Sequence, residues 1–234
     1  MRQIVLDTET TGLSTGQGHR IIEIGAIELV NRRLTGREFH RFLNPERDID
    51  EGAERVHGIS RKDLETAPRF HEVADELLEF IRDAELVIHN AEFDVGFLDY
   101  ELGLMQHPQP TITDHARVLD TLSLARELHP GQRNSLDALC KRYEVDASNR
   151  DLHGALIDAD LLARVYLAMT GGQAALFLDE SESDGDERSA GVAYRASRPD
   201  LALVVVRASD AENAAHEAML EKLRKAGECV WDRL

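Results

Sequence analysis

Asp7-Thr8-Glu9 stands near the amino terminus of this 234-residue chain and sets two carboxylates two positions apart. The apolar run Ile4-Val5-Leu6 before it has the character of a buried strand, and residues two apart on a strand share a face. Asp7 and Glu9 therefore project together, while Thr8 points the other way. Carboxylates about 6–7 Å apart along a strand repel each other unless a cation lies between them, and hard oxygen donors of this kind suit Mg2+ or Mn2+ rather than zinc. Singly, such triplets are often ordinary solvated strand ends. Here Asn90-Ala91-Glu92-Phe93-Asp94 offers a third acid, and His153 is followed five positions later by a fourth, Asp158. Four carboxylates are about the number needed to hold two divalent ions about 3.5–4 Å apart, the arrangement that hydrolyses phosphodiesters by in-line displacement. An imidazole, which as a class titrates near pH ~6.5, can take the proton of the attacking water, and His153 is assigned as that general base.

These groups need elements to carry them. Glu85-Leu86-Val87-Ile88-His89 reads as a second apolar strand, running into Asn90–Asp94 at the start of a helical stretch from Val95 to Leu104. Leu161, Leu162, Val165 and Tyr166 recur at helical spacing, which predicts a helix with Asp158 in its first turns. In Val56-His57-Gly58-Ile59-Ser60, Ser60 is placed to cap a helix beginning at Lys62 and Asp63.

The pattern changes after residue 170. Gly171-Gly172 precedes Gln173-Ala174-Ala175-Leu176-Phe177, and Asp179 to Pro199 is polar and acidic, a composition that stays extended or disordered. Leu201 to Val206 reads as a strand, and Ser209 with Glu212 forms a capping box for a helix that ends near Gly227. About 35 residues are too few for an independent core, so this segment is expected to fold against another protein. Leu176 and Phe177, two large apolar side chains ahead of an acidic stretch, are suited to a partner's pocket.

Hydrophobic residues make up 42% of the chain, enough for one substantial core plus an appendage. The only cysteines are Cys140 and Cys229, no disulfide is expected, and no apolar run is long enough to span a bilayer. A soluble, cytoplasmic protein with no membrane partner is expected. The net charge of −17 disfavours unaided binding to nucleic acid, since phosphate contacts come from Lys and Arg. A partner that delivers the substrate resolves the conflict.

Asp-x-Glu, Asn-x-x-Phe-Asp, and His followed five residues on by Asp occur here in order, and in this the chain resembles the DEDDh exonucleases. The resemblance implies an α/β, RNase H-like fold, a mixed sheet flanked by helices, over residues 1–170. It also implies 3′–5′ removal of nucleotides from a single-stranded or frayed DNA 3′ end with two divalent ions, Mg2+ or Mn2+. Asp7, Glu9 and Asp158 would ligate directly and Asp94 partly through water. Thr10, Thr11 and Gly12 would lie against the terminal nucleotide, with His57, His89 and Asn90 as further substrate contacts. Gln173, Leu176 and Phe177 resemble the pentapeptide that docks on the bacterial sliding clamp (beta), in an acidic linker over 171–199. Residues 200–234, with Ala214-Ala215-His216-Glu217-Ala218 and Cys229-Val230-Trp231, resemble the tail by which bacterial proofreading subunits bind the polymerase catalytic subunit (alpha). A small theta-like subunit is a further candidate partner. Two alternatives stand beside this one: a free-standing exoribonuclease, which a basic patch and no tail would favour, and a scaffold bracing polymerase and clamp, which degenerate acids would favour.

Overall fold

A computed structural model describes residues 1–148, 152–171, 208–226 and 231. The expected clamp-docking residues Gln173, Leu176 and Phe177 and the expected strand over 201–206 lie outside the described residues. The chain divides into two compact units, 1–178 and 179–234.

The first unit is built on a five-stranded sheet. Its strands are β1 (Arg2–Thr10), β2 (Ile21–Val30), β3 (Arg33–Phe42), β4 (Glu85–Ile88) and β5 (Arg117–Asp120), in the spatial order β3-β2-β1-β4-β5. β1, β2 and β3 pair antiparallel, and β4 and β5 join parallel to β1. The sheet is therefore mixed, as expected. Its helices are α1 (Glu51–His57), α2 (Phe70–Ile81), α3 (Ala91–Leu104), α4 (Thr121–Leu128), α5 (Leu136–Arg142) and α6 (Ala155–Thr170).

Alternation along β1 explains how the layers form. Ile4 and Leu6 enter a core with α2 and α3 on one face, whereas Val5 joins Leu29, Val87 and residues of α4, α5 and α6 on the other. Burying each such side chain contributes roughly 1.5–3 kcal/mol, so a one-residue slip in register would be strongly unfavourable. Continuing the alternation puts Asp7 and Glu9 on the α6 face and Thr8 on the α3 face. The register then shifts between Glu9 and Thr10, a bulge of the kind that re-aims side chains beside active sites.

Two contacts set α6 against this sheet. Gly25 is the register partner of Asp7, and a Cβ there would lie 2.2 Å from the Ala155 carbonyl carbon and the Leu156 nitrogen. Only a residue without a side chain lets the first turn of α6 rest on the strand. At the far end, the Arg32 guanidinium donates to the Thr170 hydroxyl at 2.7 Å and the Leu167 carbonyl at 2.8 Å, closing the last turn. On the other face, α3 is tied to β2 by buried Glu101, which accepts from the Arg20 guanidinium at 2.7 and 2.6 Å and from the Ile21 N–H at 3.2 Å.

In the second unit, α7 (Asp210–Ala226) begins with the expected capping box: Ser209 N–H and hydroxyl both donate to Glu212 Oε2 at 2.8 Å. Met219, Leu223 and Trp231 are exposed, and His216 meets Trp231 edge-on with ring centroids 6.0 Å apart. Among the described residues no helix is long and apolar enough to cross a membrane.

Because the obstacle at Gly25 is backbone, Gly25→Ala should displace the start of α6. We expect a loss of roughly 1–3 kcal/mol in chemical denaturation together with a large fall in hydrolysis. A variant with unchanged stability and turnover would show that the close approach does not position α6.

Candidate active site

β1 and α6 bring three of the expected groups together. Glu9, His153 and Asp158 offer ligand atoms that all lie within 4.8 Å of one another. Asp158 occupies the first turn of α6 and is buried. His153 Nδ1 lies 3.1 Å from Asp158 Oδ2, with 42% of the His153 side chain exposed. Asp7 is half-buried on the same face of β1, one strand repeat before Glu9.

Asp94 comes from the opposite side. It is buried in the first turn of α3, and its Oδ1 accepts the Thr8 N–H at 3.0 Å and the Thr8 hydroxyl at 2.6 Å. The side chain expected to point away from the acids thus holds the fourth of them. Burial pushes the Asp94 carboxyl up to about 7, against the pull of both Thr8 donors.

The loop that carries His153 is held by the Val56–Ser60 segment. His153 N–H donates to the Val56 carbonyl at 3.2 Å, and Gly58, with φ 73°, leaves room for Leu152, which a Cβ would approach to 2.5 Å. Ser60 N–H and hydroxyl donate to Asp63 Oδ2, completing the predicted cap on a short 3-10 turn, Arg61–Leu64. His57 is buried, and its Nδ1 accepts the Ile59 N–H at 3.0 Å, which leaves the proton on Nε2. That nitrogen is buried with no well-formed hydrogen bond, and burial lowers the pKa of the ring.

Beside the acids opens a cleft of about 440 Å³ lined by Thr8, Glu9, Thr10, Gly12, Leu13, Asp50, Gly52, Ala53, Val56, His57 and Phe93. Leu13 is 86% exposed and Val56 47%, so the rim is apolar and accessible. No lysine or arginine lines the cleft among the described residues.

Three expected substrate contacts sit elsewhere than on this lining. Thr11 is buried, with its hydroxyl 3.0 Å from His19 Nδ1 and accepting the Arg20 N–H. His89 Nδ1 lies 3.0 Å from the Thr121 hydroxyl, a structural tautomer lock. Asn90 has φ 67° and ψ 54°, the left-handed region that Asn tolerates, and so serves the backbone turn into α3. Gly12 does line the cleft, but the space above its Cα is filled by the His19 ring, which a Cβ would meet at 2.3 Å. Its lack of a side chain therefore serves packing and not a close approach by substrate alone.

The donor chemistry fits divalent metal. Two carboxylates and an imidazole converge beside a cleft that no lysine or arginine lines among the described residues, and a hard ion would relieve their repulsion.

Comparison with known proteins agrees with this geometry. The family described as Exonuclease (RNase_T) matches residues 4–166. The DNA polymerase III subunit epsilon of Escherichia coli K12 is 53% identical over 98% of this chain and 97% of the relative. The subunit epsilon of Rickettsia felis is 47% identical over 96% and 98%. Among solved structures, exonuclease X in complex with 5′ overhanging duplex DNA aligns with TM-score 0.57 at 24% identity, covering 72% of this chain and 91% of that one. The nuclease domain of 3′hExo, a DEDDh family member bound to rAMP, aligns with TM-score 0.62 at 18% identity over 73% and 92%. These two likenesses establish the RNase H-like fold.

The raised carboxyl of Asp94 has a measurable sign. Its stabilising contribution is fully present below its usual value of 3.8 and is lost as pH rises through about 7. In EDTA the melting temperature should therefore fall between about pH 4 and pH 7, and Asp94→Asn, which cannot ionise, should flatten that fall. Parallel melting curves for the two chains would contradict a buried, raised carboxyl.

Proposed function

This chain belongs to the exonuclease family, among the DNA polymerase III epsilon subunits, and from that premise we propose how its residues perform the work. It is a 3′–5′ exonuclease that proofreads for a replicative DNA polymerase. The observation that carries the mechanism is the Glu9–His153–Asp158 donor set beside an apolar-rimmed cleft with no lining lysine or arginine among the described residues.

Two divalent ions, Mg2+ or Mn2+, held by Asp7, Glu9 and Asp158 and through water by Asp94, would supply the charge that neutralises the phosphodiester and acidifies a water. Leu13, Val56 and Phe93 pack against an unstacked terminal base, a contact open to any of the four bases. Thr10 and Gly12 form part of the floor. His57 lines the cleft as a further contact to the terminal nucleotide. His153 accepts the proton of the attacking water, and its half-exposed ring passes that proton to solvent.

The same reading divides the chain into a catalytic domain over 1–170, a linker over 171–199 and a polymerase-binding segment over 200–234. The exposed Met219 and Leu223 of α7, with Trp231 beyond it, support the last of these as apolar groups open to a partner. Gln173, Leu176 and Phe177 engage the sliding clamp, and a theta-like subunit is a third partner. Tethering raises the effective concentration of the enzyme at the primer end, so a chain of net charge −17 needs little affinity for DNA of its own. The setting is the cytoplasm.

With 3′-labelled single-stranded DNA and RNA of one sequence, metal-dependent shortening of DNA is expected, abolished by EDTA and reduced by about 10²–10⁴ in His153→Ala. Asp7→Ala should abolish hydrolysis and leave polymerase binding intact. A preference for RNA would defeat the DNA assignment, and retained cleavage in both variants would defeat the site.

Replacing Gln173, Leu176 and Phe177 together by Ala should weaken binding to the immobilised clamp at least tenfold without slowing cleavage of a free oligonucleotide. Equal clamp affinity before and after would exclude the docking role.

A further inference from the structure

Ile88 ends β4, Asp120 ends β5, and the two are register partners, so the turns that follow them lie side by side. They are cross-linked by more than the sheet. His89 Nδ1 sits 3.0 Å from the Thr121 hydroxyl, which lies 3.2 Å from the Ile88 carbonyl. Asp120 caps its own helix, α4: Oδ1 accepts the Leu122 N–H at 2.9 Å and Oδ2 accepts the Ser123 hydroxyl at 2.8 Å. The same Oδ1 also accepts the Asn90 N–H at 3.0 Å, across the gap between the turns. Asn90 is the residue before α3, and its own side chain makes no cap. One carboxylate therefore closes the start of two helices. These bonds hold Asp120 below the usual carboxylate range, so it is a charged acceptor, roughly twice as strong as a neutral one.

We propose that Asp120 is a positioning residue for the hydrolysis: by fixing the backbone at Asn90 it sets where the first turn of α3 presents Asp94. The proposal rests on Asp94 serving the reaction as described above. Asn90 adopts a left-handed conformation that persists where its surroundings hold it, and Asp120 is the neighbour that grips its N–H. Asp94 lies one helical turn further on, gripped in turn by Thr8. Release of Asn90 lets the start of α3 shift, and a displacement of about 1 Å at a reacting group costs up to about 10²-fold. Residues that orient metal-binding acids contribute about 10–100-fold.

The full chain carrying Asp120→Ser separates the two roles of this carboxylate. Serine is a competent cap for α4 but is too short to reach Asn90. The expected result is a melting temperature close to that of the parent chain, a turnover number lowered about 10–100-fold with KM for single-stranded DNA within about twofold, and Mn2+ binding by calorimetry weakened in proportion. Asp120→Asn, which keeps the Oδ1 acceptor, should recover most of that loss. Full turnover and unchanged Mn2+ affinity in Asp120→Ser would overturn the proposal. So would failure of that variant to fold, equal losses in the Ser and Asn variants, or a rise in KM matching the fall in turnover. Asp94→Ala measured alongside keeps the two readings apart: if it turns over normally, the role of Asp94 has failed, whatever Asp120 does.

Discussion

Ionised carboxylates gathered at one strand end repel one another. At the 4.8 Å that bounds the ligand atoms of Glu9 and Asp158, two unit charges oppose each other by roughly 3–4 kcal/mol at an effective dielectric near 20. Asp7 shares their face of β1, and Asp94 is held by Thr8 on the other face, with no lysine or arginine lining the cleft among the described residues. A fold that keeps such a cluster must hold each acid by contacts independent of the others. Much of the architecture of the first unit follows from that requirement.

Each acid has its own restraint. Asp7 and Glu9 are fixed by β1, whose apolar alternation anchors both faces of the sheet. Asp158 is set by the first turn of α6, which reaches the sheet because Gly25 has no side chain. Asp94 is set by the first turn of α3 and by both donors of Thr8. Placing two of the four at helix starts also uses the backbone as a partial countercharge, worth about 0.3–1 kcal/mol apiece. That contribution is too small to offset the repulsion. Burial still pushes Asp94 up to about 7, and a divalent cation at the Glu9–His153–Asp158 group would relieve the repulsion there.

The acids and His153 were legible in the sequence because each must be a particular residue type, and their spacing predicted both the strand and the two helix starts that carry them. Their supports were less visible. Thr8 was read only as pointing away, although a buried hydroxyl on the far face must find a partner, and that partner is Asp94. Gly25 lies in Ile21–Val30, a strand buried over nearly its whole length, where no polar alternation marks one glycine as different. Asp120 reads as an ordinary helix cap, and its second bond, to Asn90, depends on the parallel pairing of β4 with β5. His89 and Asn90 are expected as substrate contacts from the resemblance, and the bonds they make at the turn, His89 to Thr121 and Asn90 in the left-handed region, lie between elements and leave no mark in the spacing. Spacing along a chain reports residues that share an element and is silent on those that meet between elements.

The closing of α6 by Arg32 also has a mechanical side. Asp158 stands at one end of this helix and Thr170 at the other, twelve residues on and so about 18 Å away. At that far end Arg32 clamps the last turn to the β2–β3 hairpin. A force applied to the last turn of α6 is thereby spread into the sheet, and Asp158, at the opposite end of the helix, lies outside its direct path.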